Sequence, residues 1–312
     1  MKKKIILDCD PGHDDAIAIM AAGLHEDFEL LGITTVAGNQ TIEKTTNNAL
    51  RICDYFNFKT PVYRGMSEPL VRKNQIIATD FHGETGLDGI KLDKTDRQPE
   101  KEHGVNFIIN TLLNSNEKIT LVPVGPLTNI AMALKLEPKI KEKIEKIVLM
   151  GGSCKGGNVT PFAEFNIYAD PEAASIVFSS GVPIFMMGLE VTNKTAPDEK
   201  IVKKIQRLKT KAADFLNQGL HFPKRYDENG NFIYHTLHDV VTLIYLIDQN
   251  TVKLEKINCE IETKDEEKYG QTICSNCDCK DNNNISSSNI QTAVEIDLDK
   301  FWEIIFEVIE KY

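Results

Sequence analysis

The sequence contains no long apolar run. Its hydrophobic stretches fall short of the ~18 residues that a membrane-crossing helix needs, which excludes a helical membrane protein. Basic excess is absent too: 36 Lys and Arg stand against 46 Asp and Glu, for a net charge of -10. A general nucleic-acid binder carries a basic footprint and is excluded on that ground. A nucleoside, which has no phosphate, is not. Aromatic residues make up only 7%, with one tryptophan, Trp302. Trp302 sits in an amphipathic closing segment with Phe301 and Phe306, which reads as core packing rather than a stacking platform for a base. Gly151-Gly152 lacks both the G-x-G-x-x-G and the Walker spacing, so it is not read as a phosphate cradle.

A disulfide framework is missing as well. The cysteine count, seven, is odd. Cys9, Cys53, Cys154 and Cys259 are scattered through apolar or loop sequence. Cys274-x-x-Cys277-x-Cys279 offers three thiols where a structural zinc site normally needs four, with Cys259 as a possible fourth. Its Ser, Asn and Asp neighbours read instead as a surface excursion. Met1-Lys2-Lys3-Lys4 is followed by only three apolar residues before Asp8, too few for the core of a signal peptide. A reduced, cytoplasmic protein is expected.

What is present is ordinary globular composition, 41% hydrophobic and 26% charged over 312 residues. Short apolar runs such as Lys4–Leu7, Glu29–Val36, Ile119–Val124, Lys146–Met150 and Pro183–Met187 alternate with helical patterns such as Asp14–Gly23 and Thr41–Phe56. That alternation predicts an α/β fold: an open, mostly parallel, Rossmann-like sheet flanked by helices. After Gly188 a C-terminal helical cluster and small extra strands follow, closed by a helix over Leu298–Tyr312. No repeat or linker divides the chain. One domain over residues 1–312 is expected, with a surface excursion near 265–290.

The chemistry gathers in Asp8-Cys9-Asp10-Pro11-Gly12-His13-Asp14-Asp15, where the first strand becomes the first helix. In an open α/β sheet, ligands bind beyond the carboxyl ends of the strands. Carboxylates this close repel one another and need a cation, shared protons or hydrogen-bond donors. All-oxygen ligation suits Ca²⁺ or Mg²⁺. The plainer reading is that one or two of these aspartates cap the helix and pin the turn. An EF-hand loop starting at Asp8 fails, because its twelfth position is Ile19 rather than Glu. A phosphatase of the haloacid dehalogenase type also carries Asp-x-Asp after its first strand, but Pro11-Gly12 fits that pattern poorly.

This segment resembles the N-terminal signature of the nucleoside hydrolases, the inosine–uridine-preferring ribohydrolases. Further stretches resemble that family in the same order. They are Val36-Ala37-Gly38-Asn39, the loop Phe81–Gly89, Val122–Asn129, Leu149–Gly152, Ala163-Glu164-Phe165-Asn166 with Asp170-Pro171-Glu172-Ala173, and His238-Asp239. The resemblance implies Ca²⁺ held by Asp10, Asp15, Asp239 and the backbone carbonyl of Val124. It implies Asp14 as general base, Asn39, Asn158, Glu164 and Asn166 on the ribose, and His82 and His238 near the base. It implies hydrolysis of ribonucleosides in nucleoside salvage by a homodimer or homotetramer. Val240 departs from the pattern, where Pro often follows the late His-Asp pair.

These residue types suit that reaction. An N-glycosidic bond breaks through an oxocarbenium-like sugar, so the site must supply a water, hold the sugar and help the base leave. His238 could protonate the leaving base, and His235 could compete for that role. A histidine is as easily structural, and Asn39 could simply cap a helix. Phe165, Phe81, Tyr226, Phe232 and Tyr234 are candidate base contacts, and Phe222–Thr236 a candidate lid. The lack of a second Trp points to inosine–uridine or pyrimidine preference. The competing functions are a phosphatase using Asp8 or Asp10 as nucleophile, and a non-catalytic nucleoside or pentose binder.

Overall fold

In the computed structural model of the chain, residues 2–275 and 288–312 are described. Cys277, Cys279 and the rest of the stretch 276–287 within the expected excursion lie outside them. The chain runs β1 (Lys3–Cys9), α1 (His13–Leu24), β2 (Phe28–Thr35), α2 (Ile42–Tyr55), β3 (Val62–Arg64), α3 (Thr79–His82), α4 (Gly104–Asn114), β4 (Ile119–Pro123), α5 (Thr128–Leu136), β5 (Ile144–Met150) and α6 (Phe165–Ala169). It continues with α7 (Pro171–Phe178), β6 (Ile184–Met187), α8 (Leu189–Thr192), α9 (Glu199–Arg207), α10 (Lys211–Leu220), the hairpin β7 (Arg225–Tyr226) and β8 (Phe232–Ile233), α11 (Val240–Ile247), β9 (Val252–Ile261), β10 (Thr272–Ser275), β11 (Ile290–Ile296) and α12 (Leu298–Lys311).

Local chemistry sets these boundaries. From Ile5 onward β1 is buried on both faces, and β4 is buried throughout, which is why their apolar runs do not alternate. In α7, Pro171 occupies the first turn and the Asp170 carboxylate accepts the Ala173 N–H at 3.1 Å. In α1 the same capping task falls to Asp15, which accepts the Gly12 N–H at 3.0 Å. The helices α3, α6 and α8 were not expected from the sequence; at four or five residues each they are too short for a 3.6-residue period to show.

The strands form one nine-stranded sheet in the order β10-β9-β11-β6-β5-β4-β1-β2-β3. The seven strands from β11 to β3 are parallel, and β9 and β10 add antiparallel to one edge. This is the mostly parallel, Rossmann-like α/β sheet expected. One apolar layer includes α1, α10, α11 and α12, and the other includes α4, α5 and α7. Trp302 is buried edge-on against Phe301, as its amphipathic setting suggested. Among the described residues no helix is long and apolar enough to cross a membrane.

Two expectations for the cysteines change. Cys274 is not in a loop: it lies in β10, directly across from Cys259, with their sulfurs 3.7 Å apart. Cys154 is paired in a disulfide rather than free in a loop. The fold brings together thiols that are remote in sequence, which spacing alone cannot show.

The strand order fixes the site. β2 and β3 extend to one side of β1, and β4 to β6 to the other, so the chain reverses direction between β1 and β4. Side connections diverge there and leave a crevice at the carboxyl ends. Asp8, in register with Thr34 and Pro123, ends β1 at that point. Asn129 holds this junction. Its amide donates to Asp8 Oδ1 at 2.7 Å and to the Thr35 carbonyl at 3.0 Å, and its Oδ1 accepts the Met66 N–H at 2.8 Å. Asn129→Ala would remove all three bonds and leave the Met66 N–H without its partner, and a loss of about 2–4 kcal/mol is expected in chemical denaturation. A loss under about 1 kcal/mol would show that water replaces these bonds.

Candidate active site

The turn after β1 places its aspartates in different surroundings. Asp8 points down into the sheet, where Oδ1 accepts from Thr34 Oγ1 at 2.5 Å and from Asn129. Burial pushes its carboxyl up to about 7. Asp10 is fully buried; its Oδ2 accepts the Asn39 N–H at 2.6 Å, while its Oδ1 has no partner. Gly38 and Gly125 flank it, and a Cβ on either would overlap the carboxylate. Asp15 accepts the Asp10 N–H on Oδ1 and both Gly12 N–H and Asn39 Nδ2 on Oδ2, each at 3.0 Å.

Asp239, just before α11, joins them from the far end of the chain. One carboxylate oxygen from each of Asp14, Asp15 and Asp239 falls within 4.8 Å of the others. Burial and then mutual repulsion push Asp10 and Asp239 well above the usual carboxylate range, and Asp15 to about 7. The Val124 carbonyl, at the end of β4, accepts Asn166 Nδ2 at 2.8 Å. An all-oxygen donor set, an orphaned buried Oδ1 and charge that the protein leaves uncompensated fit a hard divalent cation.

A cluster of histidines faces the acids. His235 Nε2 stands 3.7 Å from Asp14 Oδ1, beyond hydrogen-bond reach, and neither ring nitrogen of His235 has a partner. Burial opposes ionisation of Asp14, but His235, His82 and His238 together hold its carboxyl below the usual range. Burial lowers His82 to about 3, and His13 and His238 to about 4, so these rings are neutral at neutral pH. His238 Nδ1 is 2.9 Å from Thr192 Oγ1. The reach from β1 to Thr192 and His238 exists only in the fold.

Between these walls lies a cavity of about 260 Å³. Asp14, Asn39, His82, Val124, Asn158, Glu164, Phe165, Asn166, His238 and Asp239 all line it. Asp10 and Asp15 lie beneath, fully buried. Glu164 caps α6, accepting the N–H groups of Gly152, Asn166 and Ile167; burial lifts it to about 7. Two amides are already engaged by protein. Asn39 donates its side chain to Asp15, and Asn166 donates to the Val124 and Met150 carbonyls. Of the aromatic candidates, Phe81 and Phe165 reach the cavity. Tyr226, Phe232 and Tyr234 do not: they pack against one another in and beside the β7–β8 hairpin.

Three participants escaped the sequence reading. Arg225, on β7, lines the cavity and stands over the Phe81 ring at 5.4 Å. Glu190 accepts Ser153 Oγ and the Cys154 N–H, both at 2.8 Å, and so pins the Gly-rich turn. His13 buries its ring between His82 and Phe222. Its position inside the aspartate run was the available signal.

Known proteins resemble this chain along its whole length. The family model for the inosine-uridine preferring nucleoside hydrolases matches residues 5–303. The pyrimidine-specific ribonucleoside hydrolase RihB of Escherichia coli O9:H4 (strain HS) is 45% identical over 312 residues, covering 100% of this chain and 98% of its own. A purine-preferring ribonucleoside hydrolase from Gardnerella vaginalis superposes with a TM-score of 0.88 at 34% identity, covering 99% of this chain and 100% of its own. The plant nucleoside hydrolase PpNRh1 does so with a TM-score of 0.90 at 29% identity and full coverage of both chains.

The raised carboxyls carry a pH signature. Asp8, Asp15 and Glu164 at about 7 hold protons in the folded state that the unfolded chain has lost above about pH 4. Their contribution to the stability of ion-free protein therefore falls as pH rises from about 4 to about 7. A divalent cation binds the ionised forms and acts in the opposite sense. The rise in Tm from chelator to excess Ca²⁺ is expected to be larger at about pH 8 than at about pH 5.5. An equal or smaller rise at the higher pH would contradict a cation site at these carboxylates.

Proposed function

The chain belongs to the inosine-uridine preferring nucleoside hydrolase family, and we propose that it cleaves ribonucleosides in the cavity between the aspartates and the histidines, with a preference for pyrimidine bases. It is an enzyme that hydrolyses the N-glycosidic bond of ribonucleosides, giving free base and ribose. The observation that carries the site assignment is the convergence on one cavity of carboxylates, side-chain amides and imidazoles from both ends of the chain.

Asp10, Asp15, Asp239 and the Val124 carbonyl would hold the cation, and Ca²⁺ suits their oxygen donors. Bound there, it would acidify a coordinated water. Asp14 lines the cavity, stays ionised at neutral pH and can take the proton from that water. Its neighbours Asp239 and Glu164 favour positive charge developing on the sugar. Asn158 is exposed and lines the cavity with Oδ1 accepting the Phe165 N–H at 2.9 Å, which leaves its amide N–H₂ for the ribose hydroxyls. If the Thr192 hydroxyl donates to His238 Nδ1, the His238 Nε2–H is left to give to the departing base.

A second assignment of the base has its own support. Asp14 is held low and is for that reason a weak base. Asp10 has an unpartnered Oδ1 and is pushed well above its ordinary range by burial and by Asp15. The pyrimidine preference rests on similarity to the pyrimidine-specific relative, and on a cavity whose aromatic walls are Phe81 and Phe165, without tryptophan.

Release of reducing sugar from uridine, cytidine, inosine and adenosine tests both points. Uridine and cytidine are expected to react fastest, and equal rates on adenosine would overturn the preference. Asp14→Asn is expected to lower kcat about 10²–10⁴-fold while the Ca²⁺-dependent rise in Tm remains. If the loss falls on KM instead, and Asp10→Asn removes kcat with the ion still bound, Asp10 is the base.

A further inference from the structure

We propose that the cavity holds a second, separate metal site of transition-metal character, formed by Asp14, His82 and His235, and that a Zn²⁺-class ion bound there shuts off hydrolysis. One ligand atom from each of these three buried residues lies within 4.8 Å of the others. Two imidazoles and a carboxylate, with one position open to the cavity, form a donor set that suits Zn²⁺. It differs in kind from the all-oxygen set at Asp10, Asp15 and Asp239, where a hard ion is favoured.

His235 gives independent support. It is only 6% exposed, it lines the cavity, and both its ring nitrogens lack any partner. An imidazole buried in that condition costs free energy unless something occupies the space beside it. Its Nε2 already stands 3.7 Å from Asp14 Oδ1, so a small closure would bring both onto one ion.

His82 is prepared from behind. His13 Nε2 lies 2.8 Å from the Asp88 carbonyl, which can only accept, so that nitrogen carries the His13 proton. His13 Nδ1 is then a lone pair, 3.2 Å from His82 Nδ1. When His82 Nε2 gives its lone pair to a metal, its proton moves to Nδ1 and points at the His13 Nδ1 lone pair, at the expense of the contact that His82 Nδ1 accepts from the His13 backbone N–H at 3.2 Å. A metal-bound imidazole commonly rests on an outer acceptor of this kind. Stacking of His13 between His82 and Phe222 fixes the ring that does so.

Charge allows both ions. Asp10, Asp14, Asp15 and Asp239 contribute four negative charges when ionised. One divalent ion leaves two of them uncancelled, and a second cancels those. Blockade follows because Asp14 and His82 both line the substrate cavity, whichever aspartate is the base. That consequence rests on the cavity being the active site; the binding of metal does not.

Co²⁺ added to Ca²⁺-saturated full-length protein is the test, as a coloured substitute for Zn²⁺. One equivalent is expected to bind, with visible bands of a low-coordinate N/O site and no thiolate charge-transfer band. Calcium should remain bound, Zn²⁺ should displace the colour, and hydrolysis should fall as the site fills. His235→Ala should weaken Co²⁺ binding at least about tenfold. X-ray absorption of the wild-type Zn²⁺ form, which needs no variant to fold, should find two imidazoles and no sulfur. Absence of the bands, sulfur ligation, release of calcium, or unchanged affinity in a folded His235→Ala protein would each overturn the site. Metal bound with undiminished hydrolysis would overturn the blockade and also count against the cavity as the place of reaction.

Discussion

Repulsion among buried carboxylates is the constraint on which this structure turns. Asp8, Asp10, Asp15 and Asp239 are all withdrawn from water, with Asp14 almost so. No lysine or arginine pairs with them among the described residues. Isolated charges in such a place cost far more than a folded domain can spare. The protein answers in two ways. Around Asp8 it supplies hydrogen-bond donors from Thr34 and Asn129. Around Asp10 and Asp239 it leaves an opening that a cation of matching charge fits.

That solution needs close backbone approach and unlike strands at one point. Gly38 and Gly125 let the chain after β2 and β4 touch the Asp10 carboxylate, where any side chain would intrude. The strand order supplies the room, because connections from β1 and β4 leave in opposite directions. Asn129 and Asn166 then tie the two sides together. Each amide spends its hydrogens on carboxylate or carbonyl oxygens that shape the site. Residues of this kind set the geometry of the site.

The sheet and the N-terminal aspartates were legible in the sequence because both are local. Apolar runs of strand length and a carboxylate cluster at a strand-to-helix turn can be read within a window of a few residues. Asp239 could be tied to them only through family likeness, since about 225 residues separate it from Asp14 and only folding closes that gap. The asparagines were harder still. Asn39 and Asn166 were expected on the sugar; both line the cavity, and the engagement of their amide hydrogens by Asp15 and Val124 depends on an orientation that sequence does not record. Tyr226 and Phe232 looked like base contacts by composition, but a two-residue-per-strand hairpin turns them upon each other. Glu190 gave no local sign, because its partners lie 36 and 37 residues away.

The two walls of the cavity also explain each other. Acidic groups alone favour hard cations, whereas neutral imidazoles favour softer transition metals. Placed face to face, they divide the labour: carboxylates concentrate positive charge at the floor, and His82 and His238, kept neutral by burial, offer lone pairs and N–H groups to whatever enters above. Asp14 belongs to both sets, within reach of Asp15 and Asp239 on one side and of His82 and His235 on the other. A residue shared in this way feels every change in either half. A cation at the floor and a proton or a metal on the histidines would both act on that one carboxylate.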